Sequence, residues 1–355
     1  MENIATKVKI TKASSSKLSS VDFSNLTFGK VFTDHMMVCD YKDGSWQTPE
    51  IVPYGPLQMY PSAKVFHYGQ AVFEGMKAYK DDEDKVWLFR PEQNFERINK
   101  SSKRLAIPEF PKGHFFNGLE ELLKLDKEWI QKGFGNSMYL RPFVIATEPG
   151  VSASTSSEYK FMILCSPAQS YYSGEVRVKV SEDYSRAADG GVGFAKAAGN
   201  YGAQFFPTDI ANSEGYQQII WTDANTHEYL DEAGTMNLFF RIGDKLLTAP
   251  INDRILDGVT RKSVIQIARD SGIEVDIRPI RVDEIVKASE NNSLKEIFGS
   301  GTAVVINPIR SFGFKGVNYK LTKLDNPFAM LLKDKIMSIQ YNLSKDPYGW
   351  RVAVD

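Results

Sequence analysis

Gly190-Gly191-Val192-Gly193-Phe194-Ala195-Lys196-Ala197-Ala198-Gly199-Asn200-Tyr201-Gly202 is the stretch from which the rest of the chain is read. It holds five glycines and a single lysine. Glycine permits tight turns and lets another body come close to the backbone. A lysine amine becomes a nucleophile once its ammonium loses a proton, which burial and neighbouring cations favour. Alone, the stretch reads equally well as a glycine loop carrying a solvated lysine, because lysines are mostly exposed.

The surrounding chain has 355 residues, which suggests two domains, since single cores stop growing at about 250–300 residues. With 42% hydrophobic and 25% charged residues it can bury a large core. A formal net charge of -1 gives no electrostatic reason to expect nucleic acid or an anionic membrane as partner. The two cysteines, Cys39 and Cys165, form no metal or redox spacing and fit a reducing, cytoplasmic setting. The four histidines (His35, His67, His114, His227) make no H-x-x-x-H pair, so no metal site is expected. No apolar run approaches the ~20 residues of a membrane helix, and Met1 to Ser20 shows no hydrophobic signal region.

Val31–Val38, the two ends of Val65–Tyr79, Val86–Arg90, Ser137–Ile145 and Lys160–Cys165 read as strands. Pro91 opens a helix with Phe95, Ile98, Ser102 and Leu105 inward and Arg97 off that stripe; a second helix spans about 114–131. Pro167 to Gly174 breaks the pattern before Val176–Val180 restarts it. The expected division is therefore a small N-terminal α+β domain over 1–166, a linker over 167–175, and a large domain over 176–355 that carries Lys196. In that second part helices are expected over 203–214, 260–270 and 327–341, and strands over 217–221, 236–241 and 296–298. Without regular βαβ alternation, the fold class is α+β.

Four features favour an anion. Leu256-Asp257-Gly258-Val259-Thr260 runs straight into a helix, whose N-terminal amides can hold one. Phe298-Gly299-Ser300-Gly301-Thr302-Ala303 reads as a second loop of this kind; Arg97 and the Gly190–Gly193 turn complete the set. No G-x-G-x-x-G and no Walker lysine occur, so a small phosphate monoester fits better than a nucleotide. Glu232 sits in Tyr229-Leu230-Asp231-Glu232-Ala233-Gly234-Thr235-Met236-Asn237 between apolar strands, where an acid could meet a cationic ring nitrogen. A lysine, a carboxylate and a phosphate cradle are what pyridoxal phosphate requires.

At these residues the chain closely resembles the branched-chain amino acid aminotransferases, fold type IV enzymes that depend on pyridoxal 5'-phosphate. The stretches that carry the resemblance are Phe32-Thr33-Asp34-His35-Met36, Phe73-Glu74-Gly75-Met76-Lys77-Ala78, Leu88-Phe89-Arg90-Pro91, Tyr139-Leu140-Arg141-Pro142, Lys196-Ala197-Ala198-Gly199-Asn200-Tyr201-Gly202, Glu232-Ala233-Gly234-Thr235-Met236-Asn237 and Phe298-Gly299-Ser300-Gly301-Thr302-Ala303. The resemblance implies a two-domain enzyme with its active site between the domains. Lys196 would carry the cofactor as a Schiff base and move the substrate proton. Tyr201 would hydrogen-bond the ring hydroxyl and Glu232 would pair with the pyridinium. Arg97, Val259, Thr260 and Thr302 would hold the phosphate, with Thr235 at both cofactor and substrate.

Phe28, Tyr68, Phe73, Tyr139 and Tyr171 would wall the side-chain pocket, as in the family, and Arg141 would meet an acidic substrate. Thr302 and Ala303 would also touch substrate, and Val151 would reach the neighbouring subunit's pocket. The implied reaction exchanges the amino group of L-leucine, L-isoleucine or L-valine with 2-oxoglutarate, in a homodimer. The alternatives are a D-amino acid aminotransferase or aminodeoxychorismate lyase of the same fold, or a non-catalytic binder of a phosphate ligand. Mammalian members carry a C-x-x-C after the Gly-Thr-Ala turn; Val304 and Asn307 stand there, which excludes a thiol switch at that place.

Overall fold

Two runs with alternating apolar residues, Ser137–Ala146 and Tyr159–Ala168, pair antiparallel along their whole length. The computed structural model describes residues 7–169 and 176–354, which divide into two compact units. The long pair forms the middle of a sheet in the first unit. Outward on one side lie His35–Lys42, Glu50–Pro53 and Lys9–Ile10; on the other lie Met76–Lys80, Val86–Phe89 and Arg351–Val354. Neighbours are antiparallel except Lys9–Ile10 with Glu50–Pro53. The helices Pro91–Arg104 and Lys112–Leu125 supply Ile98, Phe115, Leu119 and Leu122 to the same core as Met37, Leu140 and Phe161. Phe110 stacks on Phe161 with ring centroids 3.7 Å apart.

The second unit holds a closed ring of six strands. In order around the ring they are Met236–Ile242, Leu294–Gly301, Val305–Phe314, Val176–Val180, Gln218–Thr222 and Tyr229–Ala233, which returns to Met236–Ile242. Closure removes the two free edges an open sheet would leave. Val178, Ile220, Leu238, Phe240, Ile297 and Phe312 share one buried cluster with Val282 and Ile285 of the helix Val282–Glu290. The helices Phe205–Ser213 and Val259–Asp270 complete the unit before the last helix, Phe328–Gln340.

The grouping differs from the expected division in two places. Ala195–Ala198 belongs with the first unit, because Phe73 N–H donates to the Lys196 carbonyl at 3.0 Å and Ala197 pairs with Val72. Residues 339–354 also belong there, since Arg351–Val354 pairs with Val86–Phe89. Pro167 and Ala168, expected in the linker, end a strand and pair with Met138 and Ser137; residues 170–175 lie outside the described ones.

Local readings change as well. Val65 to Tyr68 is part of a helical turn, Lys64–Tyr68, closed by Gly69 in the left-handed region, rather than the start of a strand. The strand expected from Val31 begins at His35. Phe298–Gly301 is strand rather than loop, and only Thr302 to Val304 turn. Gly299 is needed there: a Cβ would sit 2.6 Å from Met236 Sδ and Cε.

Phe161→Ala should cost about 3–5 kcal/mol, because its ring is fully enclosed by Phe110 and Phe115. The midpoint of urea unfolding measures this. A loss below about 1 kcal/mol would show that this core collapses around the gap.

Candidate active site

In the first unit the helix Pro91–Arg104 presents Asn94, Arg97 and Ser101 on a polar buried face. Arg97 falls off the apolar stripe, yet it is 8% exposed because Glu74 lies opposite. Arg97 Nε donates to Glu74 Oε1 at 2.6 Å and Nη2 to Oε2 at 2.9 Å. Asn94 Nδ2 and the Gly75 amide also donate to Glu74 Oε2, at 2.8 and 3.0 Å. This is a bidentate charge-assisted pair with its acceptor fully buried. Burial opposes ionisation of Glu74, but the charge and hydrogen bonds of Arg97, with Lys196 and Asn94, outweigh it and hold the carboxyl below the usual range.

Ser101 lies one helical turn after Arg97, so both point the same way. Its Oγ accepts from the Lys196 amide at 2.9 Å. With the Phe73 bond to the Lys196 carbonyl, both main-chain groups of the lysine are fixed. Its Nζ lies 4.7 Å from the Phe73 ring centroid.

Beyond Phe73 lie three of the residues expected to meet substrate, Phe28, Tyr139 and Arg141. Tyr139 and Arg141 share one face of their strand, as a period of two requires. Arg141 Nη2 donates to Tyr139 Oη at 3.1 Å, and its guanidinium lies 4.8 Å from the Phe73 ring and 5.3 Å from the Tyr139 ring. Phe28 meets Tyr139 edge to face at 4.9 Å. Gly75 leaves room for this arrangement: a Cβ would fall 2.2 Å from Tyr139 Oη. Tyr68 stands with Val151 instead, its hydroxyl donating to the Val151 carbonyl, and the Val151 side chain is exposed. Tyr171 lies outside the described residues.

The second unit carries the other expected residues. Glu232 is on a strand of the ring and 4% exposed. Arg186 Nη1 lies 3.0 Å from its Oε1. Its Oε2 accepts from the Leu256 amide at 3.1 Å and from Nδ2 of Asn237, the residue opposite on the next strand, at 3.3 Å. Asn237 also donates to the Leu256 carbonyl at 2.8 Å. Glu232 is thereby tied to the segment that enters the helix Val259–Asp270. That helix starts after Gly258 with no side-chain cap, so its first amides suit an anion.

Val259 and Thr260 occupy the first turn and are buried. A Cβ on Gly258 would lie 2.0 Å from Asn237 Oδ1, so only glycine admits this path. Thr235 forms a two-residue turn with Gly234, and its carbonyl comes within 3.3 Å of where a Cβ on Gly301 would lie. The turn of Thr302 and Ala303 follows directly, closed by Val305 at φ 60°, a costly conformation for a β-branched residue. Tyr201 lies in the short helix Ala198–Gly202.

Sequence reasoning gives no role to Glu74, Ser101, Arg186 or Asn237. Glu74 lies inside a stretch that carries the resemblance, and Arg186 follows a polar run, Glu182-Asp183-Tyr184-Ser185, that reads as solvated.

Residues 71–312 match the family profile described as amino-transferase class IV. The chain is 42% identical over 345 residues to branched-chain-amino-acid aminotransferase 2 of Bacillus subtilis, covering 96% of this chain and 95% of that one. It is 43% identical to a probable branched-chain-amino-acid aminotransferase of Staphylococcus aureus over 94% of each. Among solved structures, the branched-chain aminotransferase of Thermoproteus uzoniensis with norvaline aligns at a TM-score of 0.74 and 24% identity, over 90% of this chain and 100% of that one. A branched-chain amino acid aminotransferase complexed with N-(5'-phosphopyridoxyl)-L-glutamate aligns at 0.70 and 23% identity, over 89% and 98%.

Glu74→Gln should destabilise the cofactor-free protein by about 3–5 kcal/mol, because it leaves Arg97 buried without its counter-charge. Since the folded state holds the Glu74 carboxyl low, the wild-type pair contributes fully above the ordinary carboxylate range. Its contribution is lost as pH falls through the lowered value. Urea midpoints of the two proteins should therefore differ at neutral pH and converge in acid. Equal midpoints at neutral pH would contradict the pairing.

Proposed function

Because the chain belongs to the class IV aminotransferases, and within them to the branched-chain amino acid aminotransferase family, we propose that it exchanges the amino group of L-leucine, L-isoleucine or L-valine with 2-oxoglutarate, using pyridoxal 5'-phosphate. One observation carries the substrate reading: Arg141 is held between the rings of Phe73 and Tyr139 and by the Tyr139 hydroxyl, in the unit that also holds Lys196. Such a cation does not repel an aliphatic side chain, because the rings present the contact surface. It can also pair with the γ-carboxylate of glutamate, which an apolar wall alone would reject at a cost of several kcal/mol.

The residues fit the cofactor. Lys196 supplies an amine on a main chain fixed at both its amide and its carbonyl. Glu232 is a buried carboxylate of the kind that pairs with a cationic ring nitrogen. The uncapped helix start at Val259 and Thr260, Arg97 and the Thr302 turn are donors suited to a phosphate. When bound, the cofactor supplies the electron sink for the pair left at the substrate Cα.

Lys196 Nζ would take the proton from that carbon and pass it to the cofactor, and would run the same transfer backwards in the other half-reaction. Tyr201 bonds the ring hydroxyl, and Thr235, Thr302 and Ala303 border cofactor and substrate. Phe28, Phe73 and Tyr139 would wall the pocket, whereas Tyr68 stands with Val151 and Tyr171 lies outside the described residues. Val151, 69% exposed, reaches the partner's pocket in a homodimer. Two free, buried cysteines are in keeping with a cytoplasmic setting.

Stopped-flow absorbance of the two half-reactions tests the proposal. The wild-type protein should react with L-leucine and with L-glutamate, and not with D-alanine. Reaction with D-alanine and none with L-leucine would overturn it. Arg141→Met should lose about 2–4 kcal/mol of transition-state stabilisation toward glutamate and 2-oxoglutarate, with the leucine half-reaction little changed. Equal losses in both would show that Arg141 supports the fold instead.

A further inference from the structure

Glu232 and Asp231 are adjacent on one strand, so their side chains leave opposite faces. Each meets its own arginine. Asp231 accepts from Arg254 Nε at 3.0 Å, and Arg254 also pairs with Asp189. Glu232 faces Arg186, whose side chain is 2% exposed. Arg186 Nη1 donates to the Gly193 carbonyl and to the Arg254 carbonyl, both at 3.0 Å, while its Nε is buried with no partner among the described residues. An arginine so enclosed, with one donor unsatisfied, is costly to keep. Its surroundings are also rigid: a Cβ on Gly193 would come within 2.5–2.7 Å of Ala187 Cβ and of the Arg254 main chain.

We propose that Arg186 is a positioning residue for Glu232: it keeps the buried carboxylate charged and fixes it against the main chain at Gly193 and Arg254. The inference rests on the assignment of Glu232 to the ring nitrogen of pyridoxal phosphate. Without the guanidinium, a carboxylate on that strand loses its buried counter-charge and takes up a proton rather than remain unpaired. A neutral acid no longer favours a protonated ring nitrogen. Lysine keeps the charge, but its stem is one bond shorter than that of arginine, whose single Nη1 meets all three oxygens.

The test compares wild type, Arg186→Gln, Glu232→Gln, the double variant and Arg186→Lys. Two quantities are read for each: the dissociation constant for pyridoxal 5'-phosphate, by titration of resolved enzyme, and the absorption maximum of the bound cofactor. Arg186→Gln should weaken binding roughly tenfold to a hundredfold, as for loss of one charge-assisted contact. It should shift the maximum in the direction that Glu232→Gln does. The double variant should bind no more weakly than Glu232→Gln alone, and Arg186→Lys should fall between wild type and Arg186→Gln.

Wild-type values for Arg186→Gln, or losses that add in the double variant, would overturn the inference while leaving the role of Glu232 intact. If Glu232→Gln itself changes neither quantity, the assignment to the ring nitrogen fails and takes this inference with it. Should Arg186→Gln not fold, Arg186→Lys decides: a shifted maximum supports the positioning role and an unshifted one overturns it.

Discussion

The pairing of Phe73 with Lys196 is the constraint on which the arrangement of Lys196, Arg97 and Arg141 in the first unit depends. One hydrogen bond from the Phe73 amide, one to Ser101 Oγ and the Val72–Ala197 bridge fix the lysine's main chain. The same short strand, Ala71–Phe73, pairs with the strand that carries Tyr139 and Arg141, with Phe73 opposite Phe143. Glu74 follows at once and takes Arg97 from the helix that also supplies Ser101. A slip of one residue in this register would turn Phe73 away from Arg141 and separate Glu74 from Arg97. Lys196, Arg97 and Arg141 are thus placed by one local register.

In the second unit, Asn237 has the corresponding part. It stands opposite Glu232 in the sheet, bonds to it, and bonds to the Leu256 carbonyl just before the helix start. The distance from the acid to the helix N-terminus is therefore set by one amide side chain, and Gly258 is the only residue type that clears it. Glu232 and the start of the helix Val259–Asp270 are thus tied together. In two of the ion pairs described both partners are buried: Glu74 with Arg97, and Glu232 with Arg186. Each is costly unless satisfied, which is why each is surrounded by fixed donors or carbonyls.

Much of this was legible in the chain. Period-two apolar patterns located the long central strands, and the glycine and lysine content of 190–202 marked the key segment. What stayed hidden has a common physical cause. Apolar spacing gives the inward face of Pro91–Arg104 as Phe95, Ile98, Ser102 and Leu105. Asn94, Arg97 and Ser101 are buried too, because their partners come from Glu74 and Lys196, far away in sequence. Arg186 follows a polar run and is enclosed only because Glu232 and two carbonyls converge on it. The Gly299–Gly301 run reads as a loop, since glycine weakens strands, yet it pairs on both sides as a strand, and glycine suits position 299 because Met236 occupies the space of a Cβ.

Lys196 has rivals for the role of cofactor lysine, since Lys64, Lys77 and Lys80 are more deeply buried. Lys64 Nζ is engaged by Ser154, the Thr155 carbonyl and Glu148, each at 3.0 Å. Lys80 is near Asp84 and the Lys127 carbonyl. Lys196 has its Nζ over the Phe73 ring, which Arg141 also meets. Borohydride reduction of the purified enzyme, followed by peptide mapping, tests this most directly. One phosphopyridoxyl-modified peptide is expected, containing Lys196. Modification at Lys64, Lys77 or Lys80 instead, or at no lysine of a protein that retains cofactor, would contradict it.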